Sequence, residues 1–243
     1  MKGWHMFLRT ILFPIGKLVF PCRVMNKDKY EKYDRGQIIL YNHLSWMDVV
    51  YMYFGVKGYK RMLSKKENSG NKLQMAFLHS IGVIFVDRDK PELSAMRTCI
   101  NALKDGETLG IAPEGTRNRI NRDLQPLHSG AALFALKGNA RVIPIVIQRK
   151  GRLFRMNYIG VGDAVDLSDL YGKRTDEHTL QEATDRFRAA MQKTLDELDV
   201  WVEQKGYKRE RKRKKLDKKL VGELDGQYKT ARKSFNKSCS EKP

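Results

Sequence analysis

Two apolar runs joined by one polar-rich stretch constrain this chain most tightly. Gln37-Ile38-Ile39-Leu40 is rich in β-branched residues and follows a turn signal at Asp34-Arg35-Gly36, so it reads as a short buried strand. Val49-Val50-Tyr51-Met52-Tyr53-Phe54 reads as the start of a helix, with Ser45 or Asp48 available to cap it. Between them lies Tyr41-Asn42-His43-Leu44-Ser45-Trp46-Met47-Asp48. This order puts His43 where a strand gives way to a helix, the edge of an open α/β sheet at which ligands and chemistry collect.

The same alternation runs down the chain. Strands are expected at Tyr59 to Leu63, Val83 to Val86, Thr108 to Ala112, Val142 to Ile147 and Met156 to Val161. Pro144 marks its strand as an edge or a bulge, since proline has no N–H for the ladder. Helices are expected at Leu73 to Leu78, from Pro91 to Gly106 with Leu93, Met96, Ile100 and Leu103 on one face, and at Ala131 to Leu136. A long amphipathic helix carries Leu180, Ala183, Phe187, Met191, Leu195, Leu198 and Val202. The pattern specifies an α/β fold with a mixed, mostly parallel central sheet flanked by helices.

His43 and Asp48 lie five residues apart, and such a loop before a helix start can fold the carboxylate back onto the imidazole. A carboxylate on one ring nitrogen fixes the tautomer and makes the other nitrogen more basic. That nitrogen can take a proton from a hydroxyl. The competing reading is a structural histidine at a strand end beside a helix-capping aspartate, and spacing alone leaves both open. Glu114-Gly115-Thr116-Arg117 also follows a strand directly. Its glycine permits a tight turn, and its arginine offers a planar fork of donors suited to phosphate. Arg88 follows the Val83 to Val86 strand, so parallel strands would bring His43, Arg88 and Arg117 to one rim. A surface ion pair with Asp87 or Asp89 explains Arg88 equally well.

The charge is the other strong constraint. Its 243 residues carry a formal net charge of +19, which calls for an anionic partner. Residues 205–220 hold ten basic against two acidic residues and residues 221–243 five against three, so this tail supplies +10 of the total. It reads as a solvated, flexible basic tail with affinity for anionic lipid. Nucleic acid is the disfavoured rival, because only Tyr207, Tyr228 and Phe235 are available there to stack on bases. At the other end, residues 1–25 contain Trp4, Phe7, Leu8, Ile11, Ile15, Leu18 and Val19 at helical spacing. Only seven uncharged residues separate Arg9 from Lys17, far fewer than the ~20 of a membrane span. Lys17 also splits the apolar region, against a signal peptide. A helix packed on the domain and an amphipathic in-plane membrane anchor both fit, and Trp4 with the flanking charges favours the anchor. The expected organisation is therefore an anchor over 1–25, a catalytic or binding domain over 26–204 and the tail over 205–243. Cys22, Cys99 and Cys239 are too sparse for a disulfide framework or a zinc site, and Cys99 sits in a helical pattern that favours burial.

Taken together, Asn42-His43-xxxx-Asp48, then Gly82 to Arg88, then Glu114-Gly115-Thr116-Arg117, then Val142-Ile143-Pro144-Ile145 resemble, in that order, the four sequence blocks of the glycerolipid acyltransferases. The likeness is greatest to the 1-acyl-sn-glycerol-3-phosphate (lysophosphatidic acid) acyltransferases. It covers about residues 37 to 150, thins after Val161, and departs from the family pattern at Asn118, where serine is frequent. The resemblance implies that His43 is the general base, that Asp48 orients it, and that Arg88, Glu114, Gly115, Thr116 and Arg117 hold a glycerol phosphate. It implies direct transfer of an acyl group from acyl-CoA or acyl carrier protein to lysophosphatidic acid, with no metal or resident cofactor. The enzyme would sit as a peripheral or monotopic protein on the cytoplasmic face of the cell membrane. A Ser45–His43 acyl-enzyme is the internal competitor, disfavoured by the two-residue spacing. Other readings keep the fold with a different lysolipid acceptor, make water the acceptor as in a hydrolase, or make the chain a nucleic-acid binder.

Overall fold

The computed structural model describes residues 15–30, 35–56, 58, 60–65, 72–80, 82–86, 93–118 and 123–205. Residues 15–19 are helical. The strands are β1 (Cys22–Met25), β2 (Gln37–Leu40), β3 (Arg61–Lys65), β4 (Ile84–Val86), β5 (Thr108–Ile111), β6 (Arg141–Ile147) and β7 (Asn157–Val161). The helices are α1 (Met47–Gly55), α2 (Lys72–Ser80), α3 (Leu93–Lys104), α4 (Gly130–Gly138) and α5 (Glu177–Gln204).

The seven strands form one sheet in the order β1-β7-β6-β2-β5-β3-β4. Every neighbouring pair is parallel except β6 with β7, so the expected mixed, mostly parallel sheet is what forms. β2 lies in the middle, paired with β5 on one side and β6 on the other. All four of its residues are buried. Side chains alternate faces along a strand, and each face here meets an apolar layer. Ile38 and Leu40 join a cluster with Val142, Val146, Phe187 and Leu198, under α3, α4 and α5. Ile39 and Tyr41 join another with Ile143, Ile145, Tyr51 and Met52, under α1. Burial on both faces explains why the strand reads as a continuous apolar run.

The long helix buries Ala183, Phe187, Met191, Leu195, Leu198 and Val202, as its periodicity requires, and Asp176 caps it by accepting from Thr179 N at 2.9 Å. α3 is rotated from the expected face. It buries Ala95, Cys99, Ala102 and Leu103 and leaves Leu93 65% exposed. The small Ala95 and Ala102 go inward because the helix lies close to the sheet. That closeness is measurable at Gly36, where a Cβ would stand 2.1 Å from the carbonyl oxygen of Leu103.

Two other expectations change. Pro144 lies on an internal strand, not an edge. The bulge reading holds: the β6–β7 ladder stops at the Ile145–Val161 pair, and an isolated bridge joins Val142 to Val165. Three residues, 162–164, therefore oppose Ile143 and Pro144, so the proline's missing N–H falls where the ladder is already broken. Residues 22–25, at the end of the expected anchor, form β1 and pair with β7. Residues 1–14 and the tail from 206 lie outside the described residues.

Candidate active site

The site begins where β2 leaves the sheet. Tyr41 N still bonds Ile111 O on β5, at 3.0 Å. Asn42 then continues the ladder with its side chain in place of its backbone. Its amide donates to Ile147 O at 2.9 Å and accepts from Ile147 N at 2.7 Å. This two-point clamp satisfies the end of β6 and frees the main chain to turn away at His43. Sequence reading assigned Asn42 no role, because its partner is 105 residues away.

The backbone of His43 is held at both ends by the loop after β5. His43 N donates to Glu114 Oε1 at 3.0 Å, and His43 O accepts from Asn118 N at 2.7 Å. The imidazole lies edge-on to Tyr41, with ring centroids 6.1 Å apart. Its Nδ1 is 3.0 Å from Asp48 Oδ2. A carboxylate only accepts, so Nδ1 is the donor in this contact, and in the neutral imidazole the free lone pair lies on Nε2. The side chain of His43 is 22% exposed and that of Asp48 is fully buried, so the pair reaches solvent through the imidazole alone.

Asp48 stands in the first turn of α1, where the helix dipole favours a negative charge. Neither it nor Ser45 caps the helix; Trp46 is the N-cap, with no side-chain bond. The carboxylate instead turns back on the loop. Oδ2 accepts from Leu44 N and Ser45 N, both at 2.6 Å, and Oδ1 accepts from the Ser45 hydroxyl at 3.0 Å. With the imidazole that makes four donors on one buried carboxylate, which fixes its geometry. The buried Ser45 hydroxyl gives its hydrogen to Asp48 and not to His43. This bonding removes the support for a Ser45 nucleophile activated by the histidine.

The Glu-Gly-Thr-Arg turn divides into a buried half and an exposed half. Glu114 is 3% exposed, and its oxygens accept from His43 N and, at 3.2 Å, from Gln125 N. Burial pushes its carboxyl above the ordinary value of 4.5, opposed by those two backbone bonds. Gly115 turns the chain at φ 73°, a left-handed conformation that favours glycine. Thr116 and Arg117 then emerge into solvent. The Thr116 hydroxyl donates to Gln125 Oε1 at 3.0 Å. Asn118, 4% exposed, closes the turn by donating from its amide to Asp123 O at 2.7 Å. From the opposite side Arg188 of α5 donates to the carbonyls of Gln125 and Leu124 at 2.9 and 3.2 Å. Asn118, Gln125 and Arg188 thus support the turn, and no local pattern marks them.

His43 and the 114–118 turn follow the C-terminal ends of two adjacent parallel strands. β4 runs in the same direction and ends at Val86, three strand positions from β2. At the usual interstrand spacing that is roughly 14 Å along the same rim. Arg88 itself lies outside the described residues. Among the described residues, no three His, Cys, Asp and Glu side chains gather as a metal site requires.

A family model described as Acyltransferase matches residues 22–148. The chain belongs to that acyltransferase family. The matched span opens at β1 and closes one residue past β6, so it contains the whole His43–Asp48 loop and the 114–118 turn. Among curated acyltransferases, the 1-acyl-sn-glycerol-3-phosphate acyltransferase of Bacillus subtilis is 37% identical over 127 residues, 52% of this chain. The enzyme of the same name from Streptococcus pneumoniae is 28% identical over 186 residues, 72% of this chain. The matches span 62% and 67% of those two relatives. The crystal structure of the 1-acyl-sn-glycerophosphate (LPA) acyltransferase PlsC from Thermotoga maritima shares the fold, with TM-score 0.61 and 21% identity over 81% of this chain and 82% of that one.

Proposed function

We propose that this acyltransferase moves a fatty acyl group from acyl-CoA or acyl carrier protein to the sn-2 hydroxyl of lysophosphatidic acid, giving phosphatidic acid for phospholipid biosynthesis. The observation that carries the reading is the His43–Asp48 pair, with its carboxylate fully buried and its imidazole at the rim. The names of the relatives support the choice of acceptor.

His43 Nε2 takes the proton of the acceptor hydroxyl as its oxygen attacks the thioester carbonyl. Asp48 remains a carboxylate and stabilises the imidazolium that forms. Collapse of the tetrahedral intermediate breaks the C–S bond, and the imidazolium returns the proton to the thiolate. General base catalysis of this kind is worth about 10²–10⁴-fold. Glu114 and Gly115 hold the base and the turn, while Arg117 and Thr116, both exposed, take the acceptor phosphate together with Arg88. The chain works at the cytoplasmic face of the membrane, as a peripheral or monotopic protein.

Acyl transfer in mixed micelles tests the proposal, with lysophosphatidic acid as acceptor and acyl-CoA or acyl carrier protein as donor. The wild type should form phosphatidic acid. Arg117→Ala should raise the acceptor KM roughly 10–100-fold, the loss of a charge-assisted contact worth about 1.5–3 kcal/mol. Release of free fatty acid with no phosphatidic acid would identify a hydrolase and refute the proposal.

A further inference from the structure

Of the eight large apolar side chains that stand exposed among the described residues, five lie in residues 15–18, the His43–Asp48 loop and the loop after β6: Ile15, Leu18, Trp46, Leu153 and Phe154. They come from three segments that touch. The loop after β6 leaves the sheet beside His43, since Ile147 is clamped to Asn42. Phe154 N bonds Val19 O at 2.7 Å and Asn157 N bonds Pro21 O at 2.9 Å, tying that loop to residues 15–21. Gly151 lies so close to α1 that a Cβ there would stand 2.5 Å from Tyr51 and 3.0 Å from Met47, the residue after Trp46. Phe20 packs edge-on against the same Tyr51, with centroids 6.0 Å apart.

Phe154 has a φ of 57°, a left-handed conformation uncommon for an aromatic residue. Glycine or asparagine would hold that backbone at lower cost. The residue is 68% exposed, so packing within the fold does little to offset the strain. The charges on the first and last of these segments have one sign. Lys17, Lys150, Arg152 and Arg155 are exposed, and neither residues 15–25 nor residues 141–162 contain an Asp or Glu.

We propose that this surface seats on an anionic lipid bilayer, with Leu153 and Phe154 entering the headgroup region and the His43 rim facing the membrane. Apolar and aromatic tips ringed by basic residues suit that interface. The placement deepens the lipid-acceptor reading and rests on it for its purpose: a base on this rim meets an acceptor hydroxyl that never leaves the leaflet.

Sedimentation of the full chain with phosphatidylcholine vesicles, with and without phosphatidylglycerol, tests the proposal. Phe154→Gly removes the ring and relieves the backbone, so it should fold with a Tm at or above that of the wild type. Combined with Leu153→Asn, it should weaken partition onto anionic vesicles by roughly tenfold or more. Joint Lys150→Gln, Arg152→Gln and Arg155→Gln should also weaken it, by roughly fivefold per charge, and only where phosphatidylglycerol is present. Both variants should keep turnover on a short-chain, water-soluble lysophosphatidate. Partition within twofold of wild type in both variants overturns the proposal. So does a loss confined to reaction with thioester borne by acyl carrier protein, which would make the patch a protein docking site. If the wild type does not acylate lysophosphatidic acid while the variants still lose vesicle binding, the acceptor assignment fails and the docking surface stands.

Discussion

Replacing Asp48 by asparagine separates the charge of the carboxylate from its hydrogen bonding. Three N–H donors converge on Oδ2, from His43 Nδ1, Leu44 and Ser45, and one hydroxyl meets Oδ1. An asparagine with its carbonyl oxygen at the Oδ2 position keeps all three and can turn its NH2 toward the Ser45 hydroxyl oxygen, which accepts. The loop should therefore keep its shape while the negative charge is lost. A unit charge pair near 4 Å is worth about 4 kcal/mol at an effective dielectric of ~20, an upper bound here because the donors already spread the carboxylate charge. A loss of about 3–4 kcal/mol of imidazolium stabilisation is roughly 10²–10³ in kcat. Asp48→Ala behaves differently. It leaves the buried N–H groups of Leu44 and Ser45 without an acceptor, at about 1–3 kcal/mol each, so stability should fall by about 2–6 kcal/mol. Steady-state turnover and urea unfolding on both variants check the pair of outcomes. A folded Asp48→Asn with kcat within about twofold of wild type would refute the reasoning, because the carboxylate charge would then not act on the base.

Three further outcomes follow from the same framework. Burial raises the Glu114 carboxyl above its ordinary 4.5, so its contribution to stability is present below that pH and is lost as pH rises through the higher folded value; the stability of wild type relative to Glu114→Gln, from urea unfolding across pH 4–8, should fall with rising pH, and a rise would contradict the assignment. Gly36→Ala puts a Cβ 2.1 Å from the Leu103 carbonyl oxygen, a backbone contact that no rotamer change relieves, and should cost about 1–3 kcal/mol or more; an unchanged urea midpoint would show that α3 can move aside. Desolvation pushes the Cys99 thiol up to about 11, so with Cys22→Ser and Cys239→Ser in place the folded protein should not react with a disulfide reagent at pH 8, and rapid labelling would show that the α3 face opens.

The parts of the fold that local patterns encode were legible in the sequence. The strand before His43, the helix after it and the long C-terminal helix all lie where periodicity puts them. The histidine–aspartate contact was half legible: the spacing let the carboxylate either fold back on the imidazole or cap the helix, and the bonds to His43 Nδ1, Leu44 N and Ser45 N decide between them. Long-range pairing was not legible. β1 is four residues long and reads as the end of an amphipathic segment; its identity as a strand depends on β7, more than a hundred residues later. Pro144 read as an edge or a bulge, and local sequence could not choose, because the bulge that accommodates it is formed by residues 162–164, on the opposing chain segment. The split of the 114–117 turn was hidden too. Glu114 carries the charge expected of a surface residue, and only the positions of His43 N and Gln125 N make it a buried brace. Phe154 gave no signal, since its meaning lies in a φ angle and in contact with Val19.

The central claim is that His43, held by Asp48, is the base for acyl transfer, and turnover of His43→Ala at saturating acceptor and donor tests it most directly. The side chain is at the rim and its backbone bonds to Glu114 and Asn118 do not need the imidazole, so the variant should fold with a Tm near that of wild type. Its kcat for phosphatidic acid formation should fall by about 10²–10⁴. A folded His43→Ala that still forms phosphatidic acid within a fewfold of the wild-type rate would contradict the account and make the whole loop structural.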